Sequence, residues 1–142
     1  MKTASLLIAF LLLQTINAQE ITKDNTGISI DVIIDNITNN NGKVLLSLNT
    51  EETFMKGKGI MNLQSEIENG KIHVTFNNVP PGKYAILALH DANDNKRMDF
   101  DTSGMPMESY GMSNNEMSYG PPQFSDASFT VGKENLSFNI RF

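Results

Sequence analysis

Between His90 and Asp101 the chain reads HDANDNKRMDFD, with oxygen-bearing side chains at alternate positions. Asp91, Asn93 and Asn95 take the first, third and fifth places of a loop, Arg97 offers its backbone carbonyl at the seventh, and Asp99 stands at the ninth. A curled loop turns alternate side chains inward, so this spacing can wrap a hard cation such as Ca²⁺ in oxygen ligands. Asp101, or Glu108 from further along, would complete the shell. Two residues depart from the pattern: Lys96 stands where a glycine usually makes the sharp turn, and Thr102 where a bidentate glutamate would sit. A non-glycine residue at positive φ costs roughly 1–2 kcal/mol. Lys96 and Arg97 also offset part of the charge of Asp91, Asp99 and Asp101. The competing reading is an Asx-rich turn whose side chains bond their own backbone.

Other chemistry is sparse. There is no cysteine nucleophile, no HExxH and no glycine-rich phosphate loop, and neither His73 nor His90 lies in a motif with a nucleophilic serine. His73 falls on the polar side of an alternating run and is expected to face solvent. His90 ends an apolar run beside Asp91, where a histidine more often orients a loop through a hydrogen bond than acts as a base. Asp99, Asp101 and Glu108 could supply a carboxylate pair for glycoside hydrolysis, but charge alone is poor support for a hydrolase. Met105, Met107, Met112 and Met117, with Tyr110 and Tyr119, could form an adaptable surface or bind copper through thioether sulfur. Their irregular spacing and the lack of histidine among them favour packing onto the sheet ends. No catalytic residue is assigned.

The elements that must position these residues are strands. Ile28, Ile30, Val32 and Ile34 alternate with polar residues, Asn39-Asn40-Asn41-Gly42 tolerates positive φ, and Val44, Leu46 and Leu48 resume the alternation, a pattern that reads as a hairpin. A weaker strand spans Ile60 to Ser65, and Ile72, Val74 and Phe76 follow the turn Glu68 to Lys71. After Pro80-Pro81-Gly82, the run Tyr84 to Leu89 is apolar on both faces, which suits a central strand covered on both sides. Ala127, Phe129 and Val131, then Leu136, Phe138, Ile140 and Phe142, alternate again. The expectation is all-β: an antiparallel, immunoglobulin-like sandwich of about seven strands. The segment from Asp91 to Ser125 is far longer than a common loop. Phe100, Tyr110, Tyr119, Phe124 and the methionines give it apolar groups to pack, so it is expected to be ordered. A strand ending in Phe142 also suits an outer-membrane barrel, but these strands are shorter than the roughly 9–11 residues that a tilted membrane strand needs.

Residues 1–18, MKTASLLIAFLLLQTINA, carry Lys2, an apolar run from Leu6 to Leu13 and a small-residue cleavage site near Ala18. That is the pattern of a secretory signal peptide. The run is well short of the roughly 20 residues that cross a bilayer, so no membrane insertion of the mature chain is expected. Residues 19–27 read as an N-terminal linker and 28–142 as one domain, with the long loop at 91–125. The chain is expected to be secreted or periplasmic, and it has no cysteine with which to form disulfides. Eleven basic against sixteen acidic residues give a formal charge of −5, with no basic footprint for nucleic acid.

In order, VPPGKYAILALHD, the Asp/Asn loop, GMPMESYGMSNN and YGPPQFSDASFTV resemble an uncharacterised secreted bacterial family, domain-of-unknown-function family 2141, over about Ile28 to Phe142. Family members usually read HDxNxNGKxD in the loop. Asp91, Asn93, Asn95 and Asp99 match, while Lys96 and Arg97 replace the glycine and lysine. PPGKY also resembles the first strand residues of prealbumin-like and carboxypeptidase-regulatory-like sandwiches, which are mostly non-catalytic modules. The family label itself supplies no activity, so the expectation stays with the residues: a non-catalytic accessory or binding module whose ligand would be a protein or a carbohydrate, the alternatives being a ligand-binding protein that uses the 100–124 loop surface and a hydrolase.

Overall fold

A computed structural model describes residues 27–116 and 120–142; residues 1–18, expected to be a signal peptide, and Met117 and Tyr119 lie outside the described residues. Among the described residues, eight strands form two sheets: β1 (Ile28–Ile34), β2 (Lys43–Asn49), β3 (Met61–Ser65), β4 (Ile72–Val79), β5 (Gly82–Asp91), β6 (Tyr110–Met112), β7 (Phe129–Val131) and β8 (Leu136–Asn139). The first sheet has the order β4-β1-β8. The second runs β3-β2-β5-β6, and β7 pairs with the first residues of β5 beside it. Among the described residues, helix is limited to one 3₁₀ turn at Ser113–Asn115 and the four-residue α1 (Phe124–Ala127). This is the all-β, sandwich-like fold that the alternating pattern implies.

Strict alternation shows in the burial of β1, where Ile28, Ile30, Val32 and Ile34 are buried and the residues between them are not. With Phe76 of the neighbouring β4, they face Val44, Leu46 and Leu48 of β2 and Ile86 and Ala88 of β5 in one apolar cluster. A second, smaller cluster lies elsewhere on β5, where Ala85 packs with Phe54, Met112 and Ala127, and Leu87 and Phe124 join them. Tyr84–Leu89 is apolar throughout because it lies inside the second sheet, contributes to both clusters, and is covered on both faces.

Three expectations need correction. β1 and β2 are not a hairpin: β1 pairs with β4 and β8, and β2 pairs with β3 and β5. Their connection crosses between sheets, guided by buried Ile37, whose N–H donates to the Gly70 carbonyl at 3.0 Å. Two amphipathic runs joined by a polar turn suit a hairpin and a crossover equally, since each satisfies the same period of two. Second, the sandwich is not wholly antiparallel, because β1 and β8 run parallel, Ile30 beside Leu136 and Val32 beside Phe138. Third, the long loop contains an eighth strand, β6, whose three residues are too few to show a period.

β6 and β7 share one edge of β5 and leave a gap between them. Ser113 fills it: fully buried, its Oγ accepts the Ile86 N–H at 3.0 Å and donates to the Ala127 carbonyl. The N–H facing the gap is thereby satisfied.

Candidate functional site

The last residue of β5 is Asp91, held by the ladder opposite Lys43 of β2 and shut off from solvent at 0 % exposure. Its Oδ1 accepts the Asn95 N–H at 3.0 Å and its Oδ2 accepts the Lys96 N–H at 2.8 Å. These bonds curl the chain back over the strand end. The turn puts Asp94 at φ 57° and Lys96 at φ 64°, so Lys96 adopts the left-handed conformation that a glycine would take without strain.

Around this turn the alternate side chains converge. Asn93 Nδ2 and Asn95 Nδ2 both donate to Asp99 Oδ2, at 2.7 and 2.8 Å. Asn93 Oδ1 accepts the Asn95 N–H at 3.2 Å and Asn95 Oδ1 accepts the Arg97 N–H at 3.0 Å. Arg97 reaches Asp99 with its side chain, Nε lying 3.6 Å from Oδ1. Glu108 closes the loop from the returning chain, its Oε1 accepting from the Ala92 N–H at 3.0 Å and its Oε2 from the Asp99 N–H at 3.2 Å. One carboxylate thus joins both ends of the loop.

Asp101, offered by its spacing as a further ligand, is engaged elsewhere. Its Oδ1 accepts from Ser103 Oγ at 2.6 Å, the Ser103 N–H at 2.8 Å and the Met105 N–H at 2.9 Å. The Ser103 hydroxyl first, and then the Met105 amide, hold the Asp101 carboxyl below its ordinary value. It stabilises the tip of a narrow ribbon in which Phe100 bridges Pro106.

Asp91, Asn93, Asn95, Asp99 and Glu108 are therefore brought into one bonded network, and Asp101 is not. An ion there would need the amide oxygens of Asn93 and Asn95 turned inward beside the carboxylates. Among the described residues, no three acidic, histidine or cysteine side chains are grouped as metal ligands, and no buried side-chain polar atom lacks a partner.

His90 orients a different segment from the one expected. Its ring is buried against Phe142, near-parallel with centroids 6.4 Å apart, and its Nε2 lies 2.8 Å from the Asn41 carbonyl. Its N–H donates to the Ser109 carbonyl at 2.9 Å. It therefore ties the β1–β2 connection and the returning chain to the root of the loop. Asn41 and Ser109 act through main-chain carbonyls, which no side-chain spacing reveals. His73 faces solvent beside Asp31, as its place in the alternation implies.

The methionines divide. Met112 packs into the second cluster at 6 % exposure, but Met105 and Met107 stand out at 62 % and 68 %, with Phe100 also exposed. Among the described methionines of the loop, the expectation that they pack it onto the sheets holds for Met112 and fails for Met105 and Met107; Met117 lies outside the described residues. Residues 100–107 pair with each other in the ribbon, which leaves their side chains outside. Beside β6 a cleft of about 320 Å³ is lined by Tyr110, Met112, Glu116, Pro122, Arg141 and Phe142, among others.

A family model described as an uncharacterized protein conserved in bacteria, DUF2141, matches residues 32–139. The chain belongs to this family. Neither the curated proteins nor the solved structures supply a significant match. The DUF2141 match spans both sheets and the whole Asp91–Glu108 network. Among the described residues, no helix is long and apolar enough to cross a membrane.

Proposed function

We propose that this DUF2141 domain is an exported, non-catalytic accessory or binding module, secreted or periplasmic, in which the 91–99 loop closed by Glu108 takes up Ca²⁺ as a structural ion. The observation that carries the proposal is the convergence of the side chains at the first, third, fifth and ninth loop positions on one network. Asn93 and Asn95 meet on a single Asp99 oxygen. A half-turn of each amide would exchange donor for acceptor and present oxygen to a cation, and the Asp91 and Glu108 oxygens keep lone pairs beyond those used by the backbone. Under this reading Lys96 and Arg97 lower affinity, and the site would be weak.

A second reading rests on the same distances: the network is a self-sufficient polar clasp, since Asp91 already accepts two backbone N–H groups. The cleft beside β6 favours a ligand-binding role in either case, because it is concave and combines apolar walls with Arg141 and Glu116. Its ligand would be a protein segment or a carbohydrate. Titration calorimetry of Ca²⁺ into the mature chain separates the readings. Saturable heat that disappears in Asp91→Ala supports the ion site, and no heat in either protein leaves the clasp.

A further inference from the structure

The chain contains two Asn-Gly pairs, Asn41-Gly42 and Asn69-Gly70. In such a pair the backbone nitrogen of the glycine can reach the asparagine side-chain amide carbon, because glycine has no Cβ to obstruct the approach. The fold treats the two pairs differently. The Gly70 N–H is engaged, donating to Asn40 Oδ1 at 2.9 Å. Asn69 and Gly70 also form the centre of a turn pinned by reciprocal bonds between Glu68 and Lys71, both 3.0 Å. At the other pair Asn41 is exposed, and among the described residues neither its side-chain amide nor the Gly42 N–H makes a hydrogen bond.

We propose that Asn41 is a site of spontaneous deamidation and isomerisation, and that reaction there releases His90 from its partner. The Gly42 nitrogen attacks Asn41 Cγ; an N–Cγ bond forms, the Cγ–Nδ2 bond breaks, and Nδ2 leaves as ammonia with the proton from the Gly42 amide. Water then opens the succinimide. Its oxygen adds to one ring carbonyl, that carbon–nitrogen bond breaks, and the nitrogen regains a proton, giving aspartate or isoaspartate. In isoaspartate the main chain runs through Cγ and is one atom longer, and the former Asn41 carbonyl becomes a free carboxylate. That carbonyl oxygen is the one paired with His90 Nε2. Gly42 also packs so closely on the end of β5 that a Cβ there would lie 1.9 Å from the Asp91 carbonyl oxygen. With Gly42 unable to move towards β5, the atom added between Asn41 Cα and the Gly42 nitrogen displaces Asn41, and its carbonyl carbon with it, from the root of the 91–99 loop.

The experiment ages the full chain at mildly alkaline pH in ¹⁸O-water, with proteolytic mass mapping, an isoaspartyl methyltransferase assay and NMR of the histidine rings. Label and isoaspartate are expected at Asn41 severalfold sooner than at Asn69. In Asn40→Ala, where the Gly70 nitrogen loses its acceptor, Asn69 should accelerate. Conversion of Asn69 as fast as Asn41 in the unaltered chain would overturn the assignment, as would an intact Asn41 while Asn69 reacts. His90 resonances should shift in step with isoaspartate at Asn41, and resonances that stay in place would overturn the coupling.

Discussion

Where β1 faces the second sheet, Ile30, Val32 and Ile34 meet Leu46, Leu48 and Ile86 with no access to solvent. Where β5 gives way to the excursion, the chain is shaped instead by Asp91, Asn93, Asn95, Asp99 and Glu108, each bonded to nearby N–H groups or to one another. The first region gains stability in proportion to the apolar area removed from water. The second depends on a few directed bonds, each with a small net worth but a larger cost when one partner is lost. The two regions should therefore fail separately, and each can be tested by removing what holds it.

The largest effect belongs to the sandwich. Phe76→Ala, deleting one of the largest fully buried side chains, should cost about 3–5 kcal/mol, read as a lower denaturant midpoint for the whole domain. Next, Asp91→Ala leaves the Lys96 N–H without its acceptor and the Asn95 N–H with only the longer bond to Asn93 Oδ1, at about 1–3 kcal/mol. Hydrogen exchange should rise between Asn93 and Glu108 while β1 and β4 stay protected; an equal rise in all strands would merge the two regions. Lys96→Gly acts in the opposite sense. It relieves a left-handed lysine but adds chain entropy, for a net gain of about 0.5–1 kcal/mol, read as a small rise in melting temperature.

The smallest effect is at the ribbon tip. The Asp101 carboxyl is held below its ordinary value in the folded chain, so the unfolded chain binds protons more readily. Its contribution is present above the unfolded value and lost as pH falls through the depressed folded one. Amide shifts of Ser103 and Met105 should move together at that acidic end, with the sandwich unaltered. Shifts that move at ordinary carboxyl pH would remove the assigned bonds.

How legible each region was follows from the same contrast. A period of two made the strands plain and placed Tyr84–Leu89 at the centre, because burial acts on every second residue over several positions. It could not show that β1 and β2 join different sheets, since only the buried side of Ile37 and the link to Gly70 tell a crossover from a hairpin. In the excursion, the spacing of Asp91, Asn93, Asn95 and Asp99 pointed to a converging loop, and they do converge. Glu108 was legible only as an available acid; its closing of the loop depends on β6 returning antiparallel to β5. Asp101 misled because the same alternation continues into a separate turn, where Ser103 supplies nearer donors.

The central claim, that this convergence serves an ion, is tested most directly by the melting of the protein with chelator and with excess Ca²⁺, alongside hydrogen exchange. If the ion binds only the folded loop, Ca²⁺ at 100 times its dissociation constant should stabilise the domain by about 2.7 kcal/mol. The chelated chain should then loosen first between Asp91 and Glu108. Identical melting in both conditions, with equal exchange at the Asn95 and Lys96 amides, would contradict the ion site and leave the loop a clasp made of its own side chains.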